Sequence, residues 1–196
     1  MATSRKQSAQ DPVGTIKTRR LILQPLTQAD APGVYALRSN PEIFHWRKSV
    51  DTKSQSDTWL DENLSAPVPN LNYTVRLCPA LIHTSDADIV GMVGGVRLPE
   101  VGYIYDPSIW GNGFATEALR AWMDMYWSKY PDGHPDLPKE ERGHLRAKTG
   151  QENGGMNDSG NVLKKCGFRK VGEKEVEEEG SMVILEEWVS EKPRRK

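Results

Sequence analysis

With 196 residues, 26 basic against 27 acidic side chains and a formal charge of -1, the chain carries no global bias toward nucleic acid or an anionic membrane. Its 37% hydrophobic content is ordinary for a globular protein, no apolar run approaches the roughly 20 residues needed to span a bilayer, and the segment Met1 to Pro12 lacks a signal-peptide core. Two cysteines, Cys78 and Cys166, exclude a disulfide framework or a multi-cysteine zinc site, so a reduced, cytoplasmic setting is expected and no metal is called for.

Residues 1–16 are polar and aperiodic and read as a flexible tail. Residues 17–191 read as one domain, and Lys192-Pro-Arg-Arg-Lys196 as a basic tail, either a nuclear-import patch or a plain solubilising end. The alternation of Leu21 and Leu23 within Thr18 to Gln24 predicts a strand. Asp30 followed by Pro32 predicts a helix start, with Val34, Tyr35 and Leu37 on its buried side and Asn40-Pro41 as its stop. Thr52 or Ser54 can cap a second helix bearing Trp59, Leu60 and Leu64. Strands follow at Asn72 to Leu77, Asp88 to Leu98 and Val101 to Tyr105, the second interrupted by Gly91, Gly94 and Gly95, a pattern of bulge or close backbone approach.

Phe114 to Tyr130 is the strongest helix, because Ala115, Ala118, Leu119, Trp122 and Tyr126 fall on one face. Pro131 to Pro138 reads as a loop, Gly143 to Lys148 as a strand, and Asn157 to Lys165 as a helix ended by Gly167. Phe168 to Val171 and Ser181 to Ser190 close the chain as strands, joined by an acidic connection with five glutamates between Glu173 and Glu179 that reads as a solvated hairpin loop. Trp59, Trp122, Trp127 and Cys166 read as core. The fold class is α/β (α+β), with a sheet of about six or seven strands and helices on both faces.

The chemistry concentrates in Val101 to Leu119, a strand, a turn with two glycines and a helix. Gly111 and Gly113 can adopt positive φ, and the first helical turn aims unpaired N–H groups and the positive dipole end at the same point, a site suited to a diphosphate. Glycine also serves such a turn for steric reasons alone. A dinucleotide fingerprint fits poorly, since Thr116 occupies its third position and the residue some 20 places on falls in the Pro131 to Pro138 loop. No Walker lysine follows the glycines.

The run Ile104-x3-Ser108-x2-Gly111-Asn112-Gly113-Phe114-Ala115-Thr116-Glu117-Ala118 resembles the acetyl-CoA-binding motif of the GNAT N-acetyltransferase superfamily. Trp-Gly-x-Gly-Phe-Ala-Thr-Glu-Ala is similar to the branch of RimJ and RimL type, the ribosomal-protein N-terminal acetyltransferases. Thr18 to Asp30 and Ser159-x-x-Val162-Leu163-Lys-Lys165-Cys-Gly167-Phe168 resemble that branch's first strand and late helix. The resemblance implies a GNAT-type, mostly antiparallel sheet and acetyl transfer from acetyl-CoA to a primary amine, a small molecule or a protein N-terminus, by direct attack. With the charge balance and short apolar runs, no nucleic-acid or membrane partner is expected, and the oligomeric state, monomer or homodimer, is left open. The alternative is a non-catalytic acyl-CoA-binding or regulatory domain on the same scaffold.

By resemblance the cofactor contacts are Ile104, Tyr105, Trp110, Gly111, Asn112, Gly113, Phe114, Ala115 and Thr116, with Asn153 and Asn157 as candidates for the branch's asparagine. Ser108 replaces the motif's Gln or Arg, and Leu163 replaces a tyrosine that many relatives carry as proposed general acid. The acyl donor is expected between strands 101–105 and 143–148, splayed apart, with an oxyanion-stabilising N–H near Ile104 to Asp106. The amine must lose a proton, so Glu100, Glu42 and His45 are candidate bases. Glu42, His45 and Trp46 fall where the acceptor site is expected. Ser159 either donates to the departing thiolate or caps its helix.

Overall fold

Leu21 and Leu23 are fully buried while Gln24 is exposed, the alternation of a strand with one core face. In the computed structural model, which describes residues 14–43, 49–65, 71–78, 88–152, 158–178 and 181–193, this segment is β2 (Leu21–Pro25), preceded by β1 (Ile16–Lys17). The remaining strands are β3 (Asn72–Leu77), β4 (Gly91–Arg97), β5 (Glu100–Tyr105), β6 (His144–Glu152), β7 (Arg169–Glu178) and β8 (Ser181–Glu191). They form one sheet in the order β1-β2-β3-β4-β5-β6-β8-β7. Every neighbouring pair is antiparallel except β5 beside β6. Among the described residues the sheet therefore has eight strands, against the expected six or seven. The addition is β1, two residues too short to carry a period, which straddles the expected boundary between tail and domain.

Among the described residues four helices cover the sheet: α1 (Ala31–Arg38), α2 (Lys53–Ser65), α3 (Phe114–Lys129) and α4 (Asp158–Lys165). The α1 start is fixed by a box in which the amide and hydroxyl of Thr27 both donate to Asp30 Oδ2 at 2.8 Å, while Arg76 Nη2 donates to Asp30 Oδ1 at 2.7 Å. Thr52, rather than Ser54, begins α2: its amide donates to Gln55 Oε1 at 2.8 Å and its hydroxyl accepts from the Gln55 amide at 3.3 Å, satisfying donors the helix leaves open.

The core is in two parts, one on each sheet face. Leu21, Leu23, Tyr73, Val93, Val101 and Leu145 pack with Leu119, Trp122 and Tyr126 of α3 and Leu163 of α4. Leu26, Met92 and the partly buried Ile104 pack with Val34 and Leu37 of α1 and Leu60 of α2. Trp122 is fully buried and its indole N–H donates to the Leu71 carbonyl at 2.8 Å. Trp59 and Trp127 are partly buried against these clusters.

The glycines of β4 are there for close approach. A Cβ at Gly91 would enter the Tyr105 ring, one at Gly94 would enter the backbone of Leu71 and Asn72, and the ladder to β5 shifts register between Gly95 and Arg97. The acidic connection is a correction to the loop reading. Glu173 to Glu178 continue β7, paired with β8 from Arg169↔Val189 to Glu178↔Ser181. Glutamate is a weak strand former, but β7 is the outermost strand, so these side chains need no core. Among the described residues no helix is long and apolar enough to cross a membrane, and no group of three or more His, Cys, Asp or Glu is placed to hold a metal.

Candidate active site

The parallel pair β5 and β6 shares one register position, Glu100↔Arg146, held by the Arg146 amide donating to the Pro99 carbonyl at 2.9 Å. Beyond it, among the described residues, the two strands are not laddered. The antiparallel register of β4 and β5, with Gly94↔Gly102 and Met92↔Ile104, occupies alternate main-chain groups. Leu26 N–H bonds the Asn72 carbonyl at 2.9 Å, and carrying that phase across β3 and β4 directs the groups of Gly102 and Ile104 at β4. Those of Val101, Tyr103 and Tyr105 then face the opening. The Tyr105 carbonyl is taken by the Trp110 indole N–H at 2.8 Å. Within the expected range of Ile104 to Asp106, the Asp106 amide is committed to Val90 at 2.9 Å, which leaves the Tyr105 amide as the donor toward the opening. Ile104 itself packs its side chain against the α1 and α2 cluster.

At the wide end of the opening the chain turns through Asp106 to Gly113 into α3. Asp106 Oδ1 accepts from the Ser108 amide at 2.9 Å and the Ser108 hydroxyl at 2.5 Å. Asn112 Nδ2 donates to the carbonyls of Ile109 and Trp110 at 3.1 and 3.0 Å, so its side chain braces the turn. Gly111 and Gly113 have φ of 75° and 76°, a region that costs a side chain about 1–2 kcal/mol. No side chain caps α3. Its first bond runs from the Glu117 amide to the Gly113 carbonyl at 3.1 Å, so the amides of Gly113, Phe114, Ala115 and Thr116 have no intrahelical acceptor. Trp110, Gly111, Asn112 and Gly113 are exposed, and the N-terminal end of a 16-residue helix adds partial positive charge. Open amides and this charge suit an anionic group.

Thr18 and Arg20 hold the cradle from the far side of the sheet order; both lie in the Thr18 to Asp30 run, where the sequence pattern assigns them no role at the site. Arg20 Nε pairs with Glu117 Oε2 at 2.6 Å, the Arg20 amide donates to Glu117 Oε1 at 3.1 Å, and the Thr18 hydroxyl donates to the same oxygen at 2.6 Å. Arg20 Nη1 donates to the Asn112 carbonyl at 3.0 Å, and the guanidinium lies 4.4 Å over the Phe114 ring. Burial opposes the Glu117 charge, but the bonds from Thr18 and Arg20 outweigh it and hold the carboxyl below its usual range.

On the α3 and α4 side, Tyr103 crosses to α4, its hydroxyl donating to the Ser159 carbonyl at 2.7 Å. Burial is the main cause that raises the phenols of Tyr103 and Tyr105 above their ordinary value; among the described residues the buried Tyr105 hydroxyl has no partner. Cys166 Sγ donates to the Thr116 carbonyl at 3.6 Å, and burial pushes its thiol up to about 11, as expected of packed core rather than a nucleophile. Leu163 is fully buried.

Glu100 sits at the closed end of the opening and its Oε2 meets Lys148 Nζ at 2.8 Å. Ser159 is exposed in the first turn of α4. Glu42 is exposed, its amide bonded to Asn40 Oδ1 at 2.9 Å. His45, Trp46, Asn153 and Asn157 lie outside the described residues. The structure thus brings the Tyr105 to Thr116 set together at one end of the opening and Glu100 to the other.

The sheet is thus split between its two parallel strands, and the split leads to the helix start at Gly113. The model of the acetyltransferase (GNAT) domain matches residues 20–169, and the chain belongs to this family of acyltransferases. Solved structures agree in fold. An acetyltransferase of the GNAT family from Bacillus anthracis aligns with a TM-score of 0.66 at 16% identity, over 91% of this chain and 98% of that one. Spermidine N-acetyltransferase from Vibrio cholerae, in complex with CoA and spermine, aligns with a TM-score of 0.65 at 15% identity, over 89% and 97%. The acetyl transferase from Salmonella typhimurium that modifies the N-terminal serine of the 50S ribosomal protein L7/L12 aligns with a TM-score of 0.65 at 15% identity, over 92% and 97%.

Proposed function

We propose that residues 17–191 form an N-acetyltransferase that moves acetyl from acetyl-CoA to a primary amine, a protein N-terminus or a small amine, in the cytoplasm. The observation that carries this reading is the unladdered gap between β5 and β6, opening onto the unpaired amides of Gly113 to Thr116. In it the diphosphate occupies the cradle, and the pantetheine amides pair with the main-chain groups of Tyr103 like an added strand. The amine nitrogen attacks the thioester carbon, the C–N bond forms, and a β5 amide facing the gap on the Glu100 side of Tyr103 stabilises the oxyanion. The C–S bond then breaks and CoA leaves as a thiolate, which the Ser159 hydroxyl or water protonates. Glu100 receives the proton of the attacking amine, directly or through water. Holding both reactants in one gap supplies much of the acceleration.

Single-turnover release of CoA thiol against a panel of polyamines and N-terminal peptides tests the proposal, and acetylated products identified by mass spectrometry name the acceptor. One observation favours a second reading, a CoA-binding domain without catalysis: the Leu163 position is sealed in core and offers no proton donor. Tight CoA binding with no amine-dependent thiol release would select it.

A further inference from the structure

The turn Asp106 to Gly113 contains no basic side chain and one carboxylate, Asp106, and the Ser108 hydroxyl is spent on that carboxylate. Helix amides alone would have to hold a dianion there, with Glu117 one turn behind them. The cation that the structure sets against this turn is Arg20. Three of its groups are engaged, Nε and the amide on Glu117 and Nη1 on the Asn112 carbonyl. Among the described residues Nη2 has no partner, and it lies 3.7 Å from the point where a Gly113 Cβ would stand. The Arg20 side chain is 26% exposed.

We infer that Arg20 is a ligand-binding and positioning residue of the cradle, with Nη1 holding the Asn112 carbonyl and Nη2 donating to the diphosphate of the acyl carrier. This inference rests on the acetyl-CoA reading above. Arg20 acts twice. It neutralises Glu117, whose charge would otherwise oppose an anion at the α3 start, and it brings the positive charge that the turn itself lacks. A guanidinium suits both tasks because its fork serves three directions from one plane. The ring of Phe114 beneath it, at 4.4 Å, fixes that plane.

Titration calorimetry of wild type, Arg20→Met and Arg20→Lys with CoA, 3′-dephospho-CoA and pantetheine tests this. Arg20→Met is expected to lose about 30-fold in affinity, the scale of one charge-assisted hydrogen bond, for CoA and 3′-dephospho-CoA alike, and far less for pantetheine, which lacks the diphosphate. Arg20→Lys should fall between, and the salt dependence of CoA binding should flatten in Arg20→Met. Wild-type affinity in both variants overturns the inference. So does a loss seen with CoA but not 3′-dephospho-CoA, which would put the contact on the 3′-phosphate, or an equal loss with pantetheine, which would mean a merely structural role. If near-ultraviolet dichroism shows that Arg20→Met has not folded, the same comparisons on Arg20→Lys decide. A wild type that binds none of the three compounds removes the acetyl-CoA reading itself; one whose CoA affinity is indifferent to Arg20 removes only this inference.

Discussion

The phenol of Tyr103 reaches across the split in the sheet and donates to the carbonyl of Ser159 at 2.7 Å, joining the middle of β5 to the first turn of α4. The bond closes the α4 side where no strand pairing does. Because burial keeps the phenol protonated, the tie holds through neutral and mildly alkaline pH. Tyr103→Phe should lower stability by about 1 kcal/mol, or roughly 2–4 °C in the thermal midpoint for a chain of this size, with the same decrement at pH 6 and pH 9. Calorimetric melting at both values checks this.

Gly113→Val should weaken CoA binding at least tenfold, since a branched side chain at φ 76° must either bear strain or reshape the turn. The space beside it is adequate, with Arg20 Nη2 as the only neighbour within 4 Å among the described residues, so the penalty is conformational. Gly113→Ala should fall between, measured by the same titration.

Glu100→Gln should reduce kcat by roughly a hundredfold, the usual scale for loss of a positioned base, and leave the KM for acetyl-CoA nearly as it was, because the cradle is at the other end of the gap. Initial rates over a pH series measure both. Full activity at every pH removes Glu100 from the proton path.

Leu163 is at the centre of the packing beneath α4. Leu163→Ala should cost about 2–5 kcal/mol by leaving a cavity, and Leu163→Tyr about 1–3 kcal/mol by overfilling the site. Urea melts give both values. The tyrosine variant should gain no activity, since the space available is core.

Much of this layout can be read from residue order. The pattern of Ala115, Ala118, Leu119, Trp122 and Tyr126 marks α3 to within a residue of its observed end at Lys129, and the glycines of β4 announce the close approach of Tyr105 and Leu71. The cradle is equally legible, because a positive φ and a helix start leave a local signature. Three things are not. The glutamates of β7 look like loop because local composition outweighs a pairing decided by β8, and β1 is too short to show a period. Arg20 meets Glu117 across 97 positions of sequence, and a lone arginine in a run of basic residues says nothing about where its fork will land.

His134 supplies a pH dependence. It is 1% exposed, and burial lowers its proton affinity from the ordinary 6.5, with Asp136 pulling it up and Lys129 and Arg142 pushing it down. Its Nδ1 accepts from the Asp136 amide at 3.3 Å, and its buried Nε2 has no partner among the described residues. The unfolded chain therefore takes up a proton as the pH falls through 6.5 while the folded chain does so lower. This contribution is complete above that pH and declines below it. His134→Phe should flatten the fall in melting temperature between about pH 7 and 5; parallel curves would exclude His134 as its source.

The glutamates that crowd the last ribbon have a use beyond solvation. β7 has no neighbour on its outer side in the sheet order, and Glu173, Glu175 and Glu177 are exposed along it. A second molecule offering the same strand would bring like charges into register, so the raw rim repels its own kind.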